Sequence, residues 1–168
     1  FPDDVGLVEW SHPKMAGAVP EVTREKLGVV DGRASWSKPR VVWIASPEAS
    51  QTATADQVRR WTAYRLIHDV LNDPKHRPGA YVSLRRAPSD LGVQWNVWER
   101  AKFLVVDHCW LDLDGARIHR LADLLTSRPD AASVVLLGAK FPTRALSQQW
   151  ARVCSVLSED RAIRVEVG

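Results

Sequence analysis

The sequence predicts an α/β fold, a mixed or largely parallel sheet flanked by helices. Three observations predict it. From residue 40 onward, short apolar runs alternate with longer stretches whose apolar residues fall three or four apart, the signatures of strand and helix in turn. The two types follow one another along the chain instead of clustering, as in β-α-β units. Two of the strand-type runs, Val41 to Ile44 and Val134 to Leu137, are apolar at every position, as expected of strands covered on both faces.

In chain order, residues 1–39 hold scattered turn formers (His12-Pro13, Gly17, Pro20, Gly28, Asp31-Gly32, Pro39) and short apolar runs at 5–8 and 27–30. They are expected to form irregular strands and loops packed on an α/β core at 40–168, with 1–168 making a single compact domain. Val41-Val42-Trp43-Ile44 is the first buried-type strand. The stretch "TADQ" at 54–57 has the capping-box form, in which Thr54 and Gln57 satisfy each other's free amides. The helix it opens carries Val58, Trp61, Tyr64, Ile67 and Leu71 on one stripe, sets Arg59, Arg60 and Asp69 elsewhere, and stops at "NDP", 72–74.

A strand at 80–84 follows, ending in Arg85-Arg86, and then a short helix at 90–100 with Trp95 and Trp98 on neighbouring turns. The next strand covers 103–106. A helix over 115–127 points Ile118, Leu121 and Leu125 inward and is ended by Arg128-Pro129. Residues 134–137 form another buried strand. Thr143 is expected to cap a last helix bearing Leu146, Trp150, Val153 and Leu157, and Ile163, Val165 and Val167 alternate as a closing strand.

Of the 168 residues, 45% are hydrophobic and 26% charged, which excludes wholesale disorder. A net charge of +3 permits an anionic partner without establishing nucleic-acid binding. Cys109 and Cys154 form no Cys-x-x-Cys pair, so neither a disulfide scaffold nor a structural zinc site is expected, and a reducing cytoplasm fits. No window approaches the roughly 18 apolar residues of a membrane span. The first residue is Phe1, and an amino-terminal piece is expected to precede it. The eight tryptophans are expected in the core or at a subunit interface more than as base-stacking platforms.

The segment "RAKFLVVDHCWLDLDGARIHRLADLL", 100–125, concentrates the chemistry. Asp107, Asp112 and Asp114 stand where a strand gives way to a helix. Such carboxylates can hold Mg²⁺ at the end of a strand where ligands bind in open sheets, with Asp112 and Asp114 as the metal pair. The alternative is that Asp114 caps the helix and the others end the strand. Gly115 and the first amides of that helix are a candidate phosphate seat, with Arg117 and Arg120 as cations. His119 is a candidate general base, as is His108, against a solvated structural role for each. The basic pairs Arg59-Arg60 and Arg85-Arg86 can track DNA phosphates if they converge, or simply face solvent. Arg100, Lys102 and Asp107 resemble the phospholipase D-type His-x-Lys…Asp motif, but arginine at the histidine position removes the nucleophile. The chain carries no Gly-x-Gly-x-x-Gly, Walker loop or Gly-x-Ser-x-Gly elbow.

Asp114-Gly115-Ala116-Arg117, with the Ala/Leu-rich helix after it and the strand Val134-Val135-Leu136-Leu137, resembles the signature turn of the ParB/sulfiredoxin superfamily. Ile118 stands where a second arginine is common, and Arg120 is the substitute. The length, mild basicity and tryptophan content are also similar to the oncogenic-suppression class of fertility-inhibition proteins of conjugative plasmids. The resemblance implies a bacterial cytoplasmic protein that binds and hydrolyses ATP with Mg²⁺. It further implies a DNase that degrades DNA in transit to a type IV secretion system, with the coupling components of that system as possible partners. In this reading Asp107, Asp112, Asp114 and His119 are catalytic. Two other classes compete with it: a non-catalytic inhibitory module that binds DNA or protein, and a Rossmann-like nucleoside-processing enzyme.

Overall fold

The computed structural model describes residues 8–46, 53–85, 92–130, 132–158 and 160–168. Two short helices, α1 (Pro13–Ala18) and α2 (Glu21–Lys26), lead into a ribbon of β1 (Val29–Val30) and β2 (Arg33–Ala34). The Asp31-Gly32 corner lies between the two strands with φ of 52° and 72°, the left-handed pair that a two-residue hairpin turn requires. The helices correct the expectation of strands and loops for this region. Pro13 at the first helical position and the His12 ring accepting from the Lys14 amide start α1, a turn too short to show an apolar period.

From there strand and helix alternate: β3 (Val41–Ala45), α3 (Ala53–Val70), β4 (Gly79–Ser83), α4 (Gly92–Arg100), β5 (Phe103–Cys109), α5 (Gly115–Ser127), β6 (Ser133–Gly138), α6 (Gln148–Val156) and β7 (Ala162–Glu166). The five long strands form one sheet in the order β4-β5-β6-β3-β7, and every pairing is parallel. The alternating pattern thus yields an α/β fold with a fully parallel sheet.

Successive strand residues feed opposite faces. Val42 and Ile44 of β3 pack with α3 and with Trp10, Met15 and Trp36 of the amino-terminal segment. Trp43 and Ala45 pack with Trp98, Ile118, Leu121, Trp150 and Val153 of α4, α5 and α6. Crossover handedness explains the split. The connection from β3 runs one way across the sheet to β4, while those from β4 to β5, β5 to β6 and β6 to β7 run the other way, so right-handed turns put α3, alone of the crossover helices, on that face. Six tryptophans are buried, as a core role requires, and Trp61 and Trp95 are half-buried.

Helix α3 corrects the expected stripe. Val58, Arg59, Thr62, Ala63, Leu66, Asp69 and Val70 are buried, whereas Trp61, Tyr64, Ile67 and Leu71 lie half-buried on a flank. Polar residues go inside because the amino-terminal segment covers them and supplies partners. Asp69 accepts from the Trp10 indole at 2.8 Å, the Ala34 amide at 2.9 Å and Arg65 at 2.7 Å, and Arg65 also meets Glu9 at 2.9 Å. Burial alone would raise the Asp69 pKa; these donors, Arg65 foremost, outweigh it and hold the carboxyl below its ordinary value. The Thr54 side chain of the expected capping box lies outside the described residues.

The last helix also starts later than its periodicity suggests. Ser147, not Thr143, is the cap, accepting from the Trp150 amide at 3.1 Å, and Leu146 lies before the helix and is 49% exposed.

Candidate functional site

Strand β5 ends in a built irregularity. Val106 pairs with Leu136 and Cys109 with Gly138, three steps on β5 against two on β6, so one residue is extra. His108 absorbs it with φ 59°, in the left-handed region, where histidine is one of the better-tolerated non-glycine residues. Gly138 allows the strands to stay close, since a Cβ there would sit 2.6 Å from the Cys109 carbonyl oxygen and 2.8 Å from the Trp43 ring. The Asp107 carboxylate braces the turn by accepting the His108 amide hydrogen on Oδ1 at 2.7 Å.

Asp107 is 2% exposed, and its other oxygen is equally engaged. Oδ2 accepts from the Tyr81 hydroxyl and from Arg60 Nε, the latter at 3.4 Å. Strand register delivers the first of these groups: β4 pairs Ser83 with Asp107, so Tyr81, two residues earlier, is on the same face. Ser83 Oγ lies 2.7 Å from His108 Nδ1, and the imidazole meets Trp110 edge-on at 5.7 Å. The first turns of α3 close this end, with Arg59 4.7 Å above the Trp110 ring and 2.5 Å from Asp56.

The electrostatics follow from burial. Desolvation is the largest influence on His108 and lowers its pKa; Asp107 and Asp56 oppose this, while Arg60 and Arg85 add to it, leaving a neutral ring at neutral pH. Burial first, then the Asp107 charge, pushes the Tyr81 phenol up, so it remains a donor. Burial likewise pushes Cys109 up, and its thiol is not a nucleophile. The neutral ring can take the Ser83 proton at Nδ1. Asp107 Oδ2 is 3.8 Å from that same nitrogen, so it does not orient the ring from the opposite side as a Ser-His-Asp triad demands.

The other sequence-predicted residues are dispersed. Asp112 is exposed in the turn before α5. Asp114 is the α5 cap, accepting from the Arg117 amide at 2.8 Å and from the Arg117 guanidinium. These bonds, the Arg117 amide first, hold its carboxyl below the ordinary value against an opposing desolvation. Gly115 faces the Gln149 side chain, 3.6 Å from where a Cβ would stand. The phosphate seat expected there is therefore already served by a carboxylate of the chain. His119 and Asp123 of α5 form a surface strut with Arg152 of α6, at 3.0 Å to His119 Nδ1 and 3.0 Å to Asp123, and Arg120 is exposed.

Two expectations are corrected. The three aspartates do not converge, and among the described residues no three Asp, Glu, His or Cys side chains are grouped as a metal ion requires. Asp107 is buried and already accepts from three donors, which fill three of its roughly four lone-pair positions, and among the described residues no further ligands are grouped with it to complete a Mg²⁺ site. Arg59 is fully buried beside Asp56 and Trp110, so it is not part of a phosphate-tracking surface. Arg60 is mostly buried and Arg85 is exposed, while Arg86 lies outside the described residues. Tyr81 and Ser83 escaped the sequence reading, although their i, i+2 spacing on one strand was a usable signal.

The sequence matches no known family model and no curated protein. The crystal structure of a DNA replication initiation factor is similar to this chain with a TM-score of 0.49 and 14% identity, over 78% of this chain and 40% of that one. The chain thus spans less than half of that protein's length.

Proposed function

We propose that the chain is a nucleotide-binding α/β domain that works with DNA, taking phosphate at the carboxyl edge of its sheet beside Arg60 and Arg85. One observation carries this: the buried Asp107-His108 end of β5, held in a left-handed bulge and tied to Tyr81, Ser83 and Arg60. Non-glycine residues in such conformations cluster at binding and catalytic sites. Ligands of open parallel sheets bind outside the carboxyl ends of strands where connections diverge. Here β3 connects toward the β4 edge and its neighbour β6 toward β7, and Asp107 and His108 end the next strand along. Arg60 and Arg85 supply the charge complement for phosphate.

ATP is the expected nucleotide, and its phosphates are the anions that those two cations would meet. Mg²⁺ does not fit the carboxylates, for the reason given above, and no step is derived through it. Turnover of ATP, cleavage of DNA, and inhibition of conjugative or T-DNA transfer through a type IV secretion system form the finer part of the proposal. They rest on the likeness of Asp114-Gly115-Ala116-Arg117 to the ParB/sulfiredoxin turn. The engagement of Asp107, Arg59 and Asp114 within the chain favours a binding module over a metal-dependent nuclease.

Calorimetric titration with ATP, with and without EDTA, followed by incubation with linear DNA, tests the reading. It predicts ATP binding that EDTA leaves intact and that Arg85→Ala weakens. Absence of ATP binding by folded protein would overturn it. DNA cleavage that needs Mg²⁺ and is lost in Asp114→Ala would move the site to the α5 turn.

A further inference from the structure

We infer that Ser83 and His108 are a nucleophile and its general base, giving the domain a metal-independent hydrolytic activity on small esters or thioesters that carry an anionic group. The inference uses the same edge of the sheet as nucleotide binding but does not depend on it. Ser83 Oγ and His108 Nδ1 are 2.7 Å apart, within the reach at which an imidazole takes a serine proton. The backbone that carries the ring is set by its left-handed conformation and by the Asp107 bond to its amide, and the ring itself packs edge-on with Trp110. Asp107 is thereby a positioning residue. Ser83 closes an outer strand at the carboxyl edge and is only half-buried, so a substrate can reach it, and exposed Arg85 two residues on attracts an anionic substituent.

The charged and titratable groups around His108 are Asp107 on its own strand, Asp56, Arg59 and Arg60 from α3, and Tyr81 and Arg85 from β4 and its end. Their balance with burial keeps the imidazole neutral, as a base must be. In the step, Ser83 Oγ bonds to the acyl carbon while its proton passes to Nδ1. The bond from the acyl carbon to the leaving oxygen or sulfur then breaks, and that atom takes the proton and departs as alcohol or thiol. Water repeats the sequence, releasing the carboxylic acid and restoring the Ser83 hydroxyl.

A fluorophosphonate probe tests this on the whole chain: Ser83 Oγ bonds to phosphorus, the P–F bond breaks and HF leaves. Peptide mapping by mass spectrometry should find the adduct on Ser83, and Ser83→Ala should abolish it. His108→Asn keeps a residue that tolerates the left-handed turn but removes the base, so labelling should slow by about 100-fold or more. In the wild type the labelling rate should hold through pH 6.5 and fall only as pH drops through the lowered His108 value, a check that needs no variant. No Ser83 adduct under conditions that label a reference serine hydrolase would overturn the inference, as would labelling that neither the pH change nor folded His108→Asn slows. The ATP titration is unaffected by either result, so the two proposals fail separately.

Discussion

At the scale of single residues, Asp107 decides how the end of β5 is built. It is a buried carboxylate whose two oxygens serve one amide, one phenol and one guanidinium. Asp107→Asn places an amide nitrogen against donors and removes the negative charge that Arg60 Nε meets, so it should cost about 3 kcal/mol, read from urea unfolding. The pH dependence has a definite sign. His108 has a folded pKa below its ordinary 6.5, so the stability it contributes is full above 6.5 and is lost as pH falls toward the lowered value. Asp69, held below 3.8, contributes stability present above that pH and lost on further acidification. Thermal unfolding against pH should therefore decline in two windows, and His108→Asn should flatten the upper one. Asp107 was visible in the sequence as an acid closing an apolar run. Tyr81 and Ser83 were not tied to it, because only the register of β4 on β5 brings them together.

At the scale of elements, apolar runs together with the alternation of Ile163, Val165 and Val167 were enough to find all five long strands, and the start of α5 at Gly115 was legible from its Asp114 cap. Misplacement occurred where polar residues were assumed to face water. Arg59, Arg65 and Asp69 of α3 are inside because each has a partner, which a hydrophobicity pattern cannot register. The start of α6 makes a clean test. Ser147→Ala should destabilise by about 1 kcal/mol through loss of the cap, whereas Thr143→Ala should stay within about 0.5 kcal/mol. Equal effects would mean that the helix begins nearer Thr143. Gly138→Ala should destabilise by about 1 to 3 kcal/mol, because its Cβ would enter the Cys109 backbone and the Trp43 ring.

At the scale of the whole molecule, strand order was beyond the sequence. Apolar runs look alike in any order, and the order β4-β5-β6-β3-β7 follows from where each crossover helix finds a partner. That order separates the two candidate sites: Asp114, Gly115, Arg117 and Arg120 belong to the start of α5, and Asp107, His108, Tyr81 and Ser83 to the edge closed by α3. Hydrogen exchange of the protein with and without ATP distinguishes them most directly. The account predicts added protection in 81–85 and 107–110, with 114–120 unchanged. Protection confined to 114–120, or none at saturating ATP, would contradict it.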